Sequence, residues 1–163
     1  MSENQRERGQ KSPSASLTTQ VHIVMPMHVN AAQHLFGGML MEWIDVVAAV
    51  AAKRHAQREV LTAAVDHLSF LAPVNLGDTV EVIGRVTYVG TTSMEVCVES
   101  YVEYTNQTLE KPLLVNRAYL TMVALDENNQ PVPVPMLLLE TEREKADFEA
   151  GRKRWEERKR LKL

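Results

Sequence analysis

The sequence predicts an α+β domain in which one curved, largely antiparallel sheet of about five strands wraps a single long apolar helix, with a further helix at the C-terminus. Three observations carry this. Residues 38–57 are apolar on nearly every side: Met39, Leu40, Met41, Trp43, Ile44, Val46, Val47 and alanines 48, 49, 51 and 52. A helix of that kind is enclosed on most sides rather than lying on a surface. Downstream, Val80, Val82, Val86 and Tyr88 alternate with Glu81, Arg85 and Thr87, and Met94, Val96, Val98 and Val102 alternate with Glu95, Glu99 and Glu103, the period of half-buried strands. The turns Asn75 to Asp78 and Gly90 to Ser93 are short enough for hairpins, which makes the joined strands antiparallel.

Taken in order, residues 1–17 are polar, with Pro13 among serines, and read as a disordered arm. The body spans 18–139. Thr18 to Met25 is a short strand stopped by Pro26, and Asn30 to Gly38 is the loop that leads into the apolar helix. Strands are expected over Leu61 to Phe70, Thr79 to Val89, Met94 onward and Leu113 to Leu125, with a polar loop from Thr105 to Pro112. Pro131, Pro133 and Pro135 then forbid regular structure. A charged helix over 140–163 begins near Thr141. Its acidic residues (Glu140, Glu142, Glu144, Asp147, Glu149) precede its basic ones, the order that suits a helix dipole.

Composition narrows the function. Residues 12–139 hold twelve Asp/Glu against six Lys/Arg, whereas 151–163 hold seven Lys/Arg against two Glu. An acidic body argues against a broad nucleic-acid face. The apolar run Met39 to Ala52 is broken by Glu42 and Asp45, short of the ~18 residues a membrane span needs. No secretory h-region opens the chain. The single cysteine, Cys97, permits no internal disulfide and no Cys-based zinc site, and reads as core. Histidines 22, 28, 34, 55 and 67 lack metal-ligand spacing, and no nucleophile elbow, phosphate loop or dinucleotide fingerprint occurs. The expectation is a cytoplasmic protein with no metal and no cofactor.

The run Asn30…Phe36-Gly37-Gly38-Met39-Leu40-Met41-Glu42-Trp43-Ile44-Asp45-Val46-Val47-Ala48 resembles the signature of hotdog-fold acyl-CoA thioesterases, N-x-x-G-x-x-F-G-G-x-L-M-x-x-x-D-x-x-A. The likeness continues through Val65-Asp66, Phe70, Pro73-Val74, Gly77-Asp78 and Gly90-x-Thr92-Ser93-Met94-Glu95-Val96, and covers about residues 20–125. It implies hydrolysis of acyl-CoA thioesters, CoA being substrate rather than cofactor, by homodimers commonly grouped as trimers of dimers. By that resemblance Asn30 and Asp45 fall on the catalytic pair. Gln33 stands where the family has glycine, His34 follows it, and His28 stands at a commonly acidic position.

Thioester hydrolysis needs a base or nucleophile, a grip on the carbonyl oxygen and a dock for the carrier. Asp45, set among Met41, Ile44, Ala48 and Ala49, suits the first role, because apolar surroundings favour the neutral acid and make its carboxylate a stronger base. A purely structural carboxylate is the alternative, and Glu42 is the competing acid. Gly37 and Gly38 open a helix whose free N–H groups favour an oxyanion, or else permit tight packing. Asn30 could orient water or the carbonyl, or cap a turn. Gly90, Thr91, Thr92 and Ser93 offer hydroxyls and backbone donors for CoA, with Arg85 as a phosphate contact. Arg117, Lys53, Arg54 and Arg58 are further candidates.

Gly38 and Asp45 are about 10 Å apart along one helix, too far to act on one carbonyl. The working arrangement is therefore expected at a dimer interface, Asp45 of one subunit facing Asn30 and Gly38 of the other. The alternatives are a hotdog dehydratase using His34 with Asp45, and a non-catalytic acyl-CoA sensor.

Overall fold

The computed structural model describes residues 8–104 and 111–161. Its elements are β1 (Gln10–Lys11), a 3-10 turn (Pro13–Ser16), β2 (Thr18–Ile23), a 3-10 turn (Pro26–His28), α1 (Gly37–Ala56), β3 (Glu59–Phe70), β4 (Thr79–Val89), β5 (Ser93–Glu103), β6 (Leu113–Leu125), β7 (Met136–Leu137) and α2 (Glu142–Leu161). Five strands form an antiparallel sheet in the order β2-β4-β5-β6-β3. The loop expected from Thr105 lies outside the described residues as far as residue 110.

Helix α1 lies across one face of this sheet, the hotdog architecture. Val80, Val82, Val86, Val96, Val98, Ala118 and Leu120 point inward and meet Leu40, Ile44, Val47, Ala48 and Ala51. At ~25 cal/mol per Å2 of apolar surface, this shared core is the main driving force of the fold. The approach is close. A Cβ at Gly84 would lie 2.6 Å from Val47 Cγ1, so the middle of β4 requires glycine beneath the helix. The register of β4 shifts between Val86 and Tyr88. This bulge turns Tyr88 away from the inward face that simple alternation assigns it, and onto Phe148 and Trp155 of α2.

Helix α2 covers part of the opposite face. Arg154 makes two 2.8 Å bonds to the buried Glu95 carboxylate and lies 3.8 Å over the Tyr119 ring. Arg158 pairs with Asp66, Arg152 with Glu149 and Glu156, and Lys159 lies over Trp155. Much of the basic charge of the tail is thus engaged within the chain. Arg85 joins the same face, bonded to Glu99 and Asp147. Burial pushes the Glu99 carboxyl up, but hydrogen bonds from Arg117 and the charges of Arg117 and Arg85 hold it below the usual carboxylate range.

Two expectations need correction. The arm expected to be disordered over 1–17 is ordered where it is described. Gln10 and Lys11 pair in parallel with Met136 and Leu137, and the buried Ser16 hydroxyl accepts from Val86 N at 2.9 Å. Lys11 Nζ donates to the Arg54 and His55 carbonyls at the end of α1. A polar segment orders here because its polar groups satisfy backbone groups that the sheet and helix leave over.

The second correction concerns α1, which is not enclosed on most sides. Met41 and Val46 are 44% and 43% exposed, with Glu42 and Asp45 on the same stripe. One sheet covers one face of the helix and leaves the other exposed. No helix among the described residues is long and apolar enough to cross a membrane.

Candidate active site

Helix α1 and strand β3 place the first acid. Asp45 lies midway along the exposed stripe of α1, and its Oδ1 accepts a 2.7 Å bond from the Thr62 hydroxyl of β3. This holds the carboxylate by one oxygen while the residue stays exposed. Thr62 was not singled out by the sequence: one inward hydroxyl in a strand gives no signal until the helix crossing is known. Around the acid lie Met41 and Val46 of α1, with Val65 of β3 (47% exposed) on the same side of the sheet as Thr62. Strand β3 is an edge of the sheet.

Asn30 heads a small hairpin. Val29 bridges Leu35, Phe36 N donates to His28 O at 2.8 Å, and Asn30 N donates to His34 O at 2.8 Å. The Asn30 Oδ1 accepts from Ala32 N at 3.0 Å and His34 N at 3.2 Å. Because the oxygen takes both backbone donors, the amide orientation is settled. Its NH2 group points out, with no acceptor among the described residues, as a donor available to a carbonyl or water. Gln33, at the family glycine position, has φ 62°, a left-handed conformation that costs a non-glycine residue about 1 kcal/mol. His34 is tied by Nδ1 to Asn75 Oδ1 at 2.9 Å, which docks the loop on the segment before β4.

Gly37 and Gly38 are the first residues of α1. Phe36 caps the helix without a side-chain bond, and the N–H groups of Gly37 and Gly38 have no backbone acceptor among the described residues. A cleft of about 400 Å3 adjoins them, lined by Gly37, Leu40, Phe70, Leu71, Ala72 and Val74 among others. It brings helix N–H donors to an apolar recess, the combination that holds an anionic oxygen beside a hydrocarbon group.

The turn Gly90–Ser93 lies at the other end of β4 from the Asn30 hairpin, so one chain does not bring the two together. Its carbonyls are occupied: Gly90 O by Arg8, Thr91 O by Val134 N and Thr92 O by Ala124 N. The ion pairs of Arg85 with Glu99 and Asp147 make it a weaker phosphate ligand than its sequence position suggests. Glu42 is exposed on α1 three residues before Asp45. Cys97 is buried, and burial pushes its thiol up to about 11, the behaviour of a core residue and not of a nucleophile.

The arrangement can be set beside known proteins. The profile of the Thioesterase superfamily matches residues 32–107. An uncharacterised acyl-CoA thioester hydrolase of Bacillus subtilis, YkhA, is 46% identical over 74% of this chain and 69% of its own length. The cytosolic acyl coenzyme A thioester hydrolase of Rattus norvegicus is 32% identical over 87% of this chain, which spans 37% of that longer protein. Among solved structures, an acyl-CoA hydrolase from Staphylococcus aureus in complex with butyryl-CoA, CoA and CoA disulfide is 37% identical, with a TM-score of 0.86 over 93% of this chain and 92% of that one. That hydrolase is also known with an asparagine, an aspartate and a threonine each changed to alanine. These three lie fifteen and seventeen residues apart in its chain, the separations of Asn30, Asp45 and Thr62 here. A hexameric acyl-CoA thioesterase superimposes with a TM-score of 0.88 at 36% identity, over 95% of this chain and 99% of that one.

Proposed function

The chain belongs to the thioesterase superfamily, among the acyl-CoA thioester hydrolases, and we propose that it hydrolyses acyl-CoA to free fatty acid and CoA. Asp45 acts as base or nucleophile, opposite Asn30 and the Gly38 N–H of a neighbouring subunit. The observation that carries this reading is an exposed carboxylate, held by Thr62, on an exposed face of α1 shared with Met41, Glu42 and Val46. The matching separations in the S. aureus hydrolase support it.

As a base, Asp45 Oδ2 takes a proton from water, whose oxygen bonds to the thioester carbon while the carbonyl electrons move onto oxygen. The Gly37 and Gly38 N–H groups and the Asn30 amide stabilise that oxyanion. Collapse breaks the C–S bond, and the CoA thiolate leaves with the proton from Asp45. As a nucleophile, Asp45 instead forms an acyl anhydride as the thiolate departs, and water then hydrolyses it. Neither route calls for a cofactor. The hydroxyls of Thr91, Thr92 and Ser93 are proposed CoA contacts.

Two-fold pairing of β3 edges would cover Val65, Met41 and Val46 of both chains and bring each Asp45 to the partner's loop. A trimer of such dimers follows the hexameric assembly of several solved relatives, and a cytoplasmic location follows the cytosolic one. The test is CoA release across acyl chain lengths. Asp45→Ala and Asn30→Ala should each lose on the order of 100-fold or more in kcat. Unchanged turnover in Asp45→Ala overturns the mechanism.

A further inference from the structure

We infer that His28 is a positioning residue for this reaction: its neutral ring locks the loop carrying Asn30 onto the helix carrying Asp45, and protonation releases the loop. The inference rests on the hydrolase reading above. Trp43 of α1, 6% exposed, is the anchor, two residues before Asp45. The His22 ring of β2 stacks on it at 4.0 Å and 2°. The His28 ring stands edge-on at 5.2 Å and 89°.

His28 closes both ends of its neighbourhood. Its Nδ1 accepts from Met25 N at 3.1 Å, closing the Pro26–His28 turn. Its carbonyl accepts from Phe36 N at 2.8 Å, closing the hairpin that holds Asn30 and leads into Gly37. A ring that accepts at Nδ1 carries its single proton on Nε2. Adding a proton at Nδ1 turns that acceptor into a donor facing another donor, so the Met25 bond is lost. It also puts a positive charge across one indole from the His22 ring.

The surrounding charges do not offset this. His22 is held below the ordinary histidine range by burial and then by the charge of His28. Glu42 of α1 forms no ion pair with either ring among the described residues. His34 is bonded to Asn75, and Asp78 accepts from Asn75 N. A ring that merely filled space would affect stability without linking turnover to pH.

The experiment is butyryl-CoA hydrolysis by the full-length protein over roughly pH 5 to 8, where histidine charge changes. Wild type is compared with His28→Asp, which keeps an acceptor that stays ionised across most of that range, and with His28→Phe, which keeps a ring edge and no acceptor. From the alkaline to the acid end, kcat should fall about fivefold less in His28→Asp than in wild type, with KM within about twofold. At the alkaline end His28→Phe should be about tenfold lower in kcat. Superimposable wild-type and His28→Asp profiles overturn the inference.

Should either variant fail to fold, Trp43 fluorescence in a Trp155→Phe background is read instead. Quenching in step with the fall in kcat supports the coupling, and a flat signal overturns it. Asn30→Ala separates the two claims. No butyryl-CoA turnover in wild type removes the hydrolase reading and His28's role together, and full activity in Asn30→Ala removes the roles of Asn30 and His28 while leaving the hydrolase reading. Loss of activity there, with unchanged His28→Asp profiles, removes the role of His28 alone.

Discussion

A carboxylate serves as a base or nucleophile only if it is aimed and not neutralised, and the Asp45–Thr62 pair meets both conditions. The hydroxyl bond orients the carboxylate without bringing a cation to it. Thr62→Val keeps the shape and removes that bond, so kcat should drop about tenfold with KM little changed, since the lost bond orients the reacting group rather than binding substrate. Equal kcat for Thr62→Val and wild type would show that Asp45 needs no such aim. Asp45 was legible in the sequence because an acid on an apolar helix is costly without a purpose. Thr62 was not, because its role depends on which strand residue lies under the helix at that crossing. Gln33 was legible as a departure, and its φ of 62° shows the physical meaning: the loop needs a left-handed residue there.

The helices and strands extend the same logic. Nearly every element fell where the apolar periods placed it, since one buried face dictates a period of 2.0 or 3.6. The exceptions were elements held by polar contacts, which leave no period: the N-terminal arm, pinned by Arg8, Lys11 and Ser16, and the bulge that reverses Tyr88. Helix α2 is a tight fit. A Cβ at Gly151 would lie 2.6 Å from Tyr88 Cβ and 2.8 Å from Glu95 Oε1. Gly151→Ala should therefore destabilise the protein by about 1–3 kcal/mol, despite the helix propensity of alanine; a raised Tm would refute that packing. Arg154→Ala should cost about 3–5 kcal/mol in urea unfolding, because it strands the buried Glu95 carboxylate.

His55 gives α1 a pH dependence. It is fully buried, donates from Nε2 to Pro135 O at 2.9 Å, and has no partner for Nδ1 among the described residues. Burial lowers its pKa, and the charges of Lys11 and Arg8 add to that against the Pro135 bond. Its contribution to stability is therefore present above the ordinary histidine pKa of about 6.5 and is lost as pH falls through the lower folded value. Melting curves should show Tm falling more steeply with acidity in wild type than in His55→Asn, and parallel falls would contradict it.

The proposed reaction needs a second copy of this chain. An exposed face of α1, an open β3 edge and an acid about 10 Å from its proposed helix partner are three views of one proposed requirement, that the site be shared across a two-fold axis. The sequence suggested that requirement through helix length, while the surface proposed to meet it emerged only once Met41, Val46 and Val65 were seen on one side. Complementation tests it most directly. Asp45→Ala and Asn30→Ala chains, each inactive alone, are unfolded together, refolded as a mixture and assayed for CoA release. If each site draws Asn30 from one chain and Asp45 from the other, half of the dimers are hybrids with one intact site of two, and about a quarter of wild-type activity returns. If both residues act within a single chain, every site carries a lesion and no activity returns.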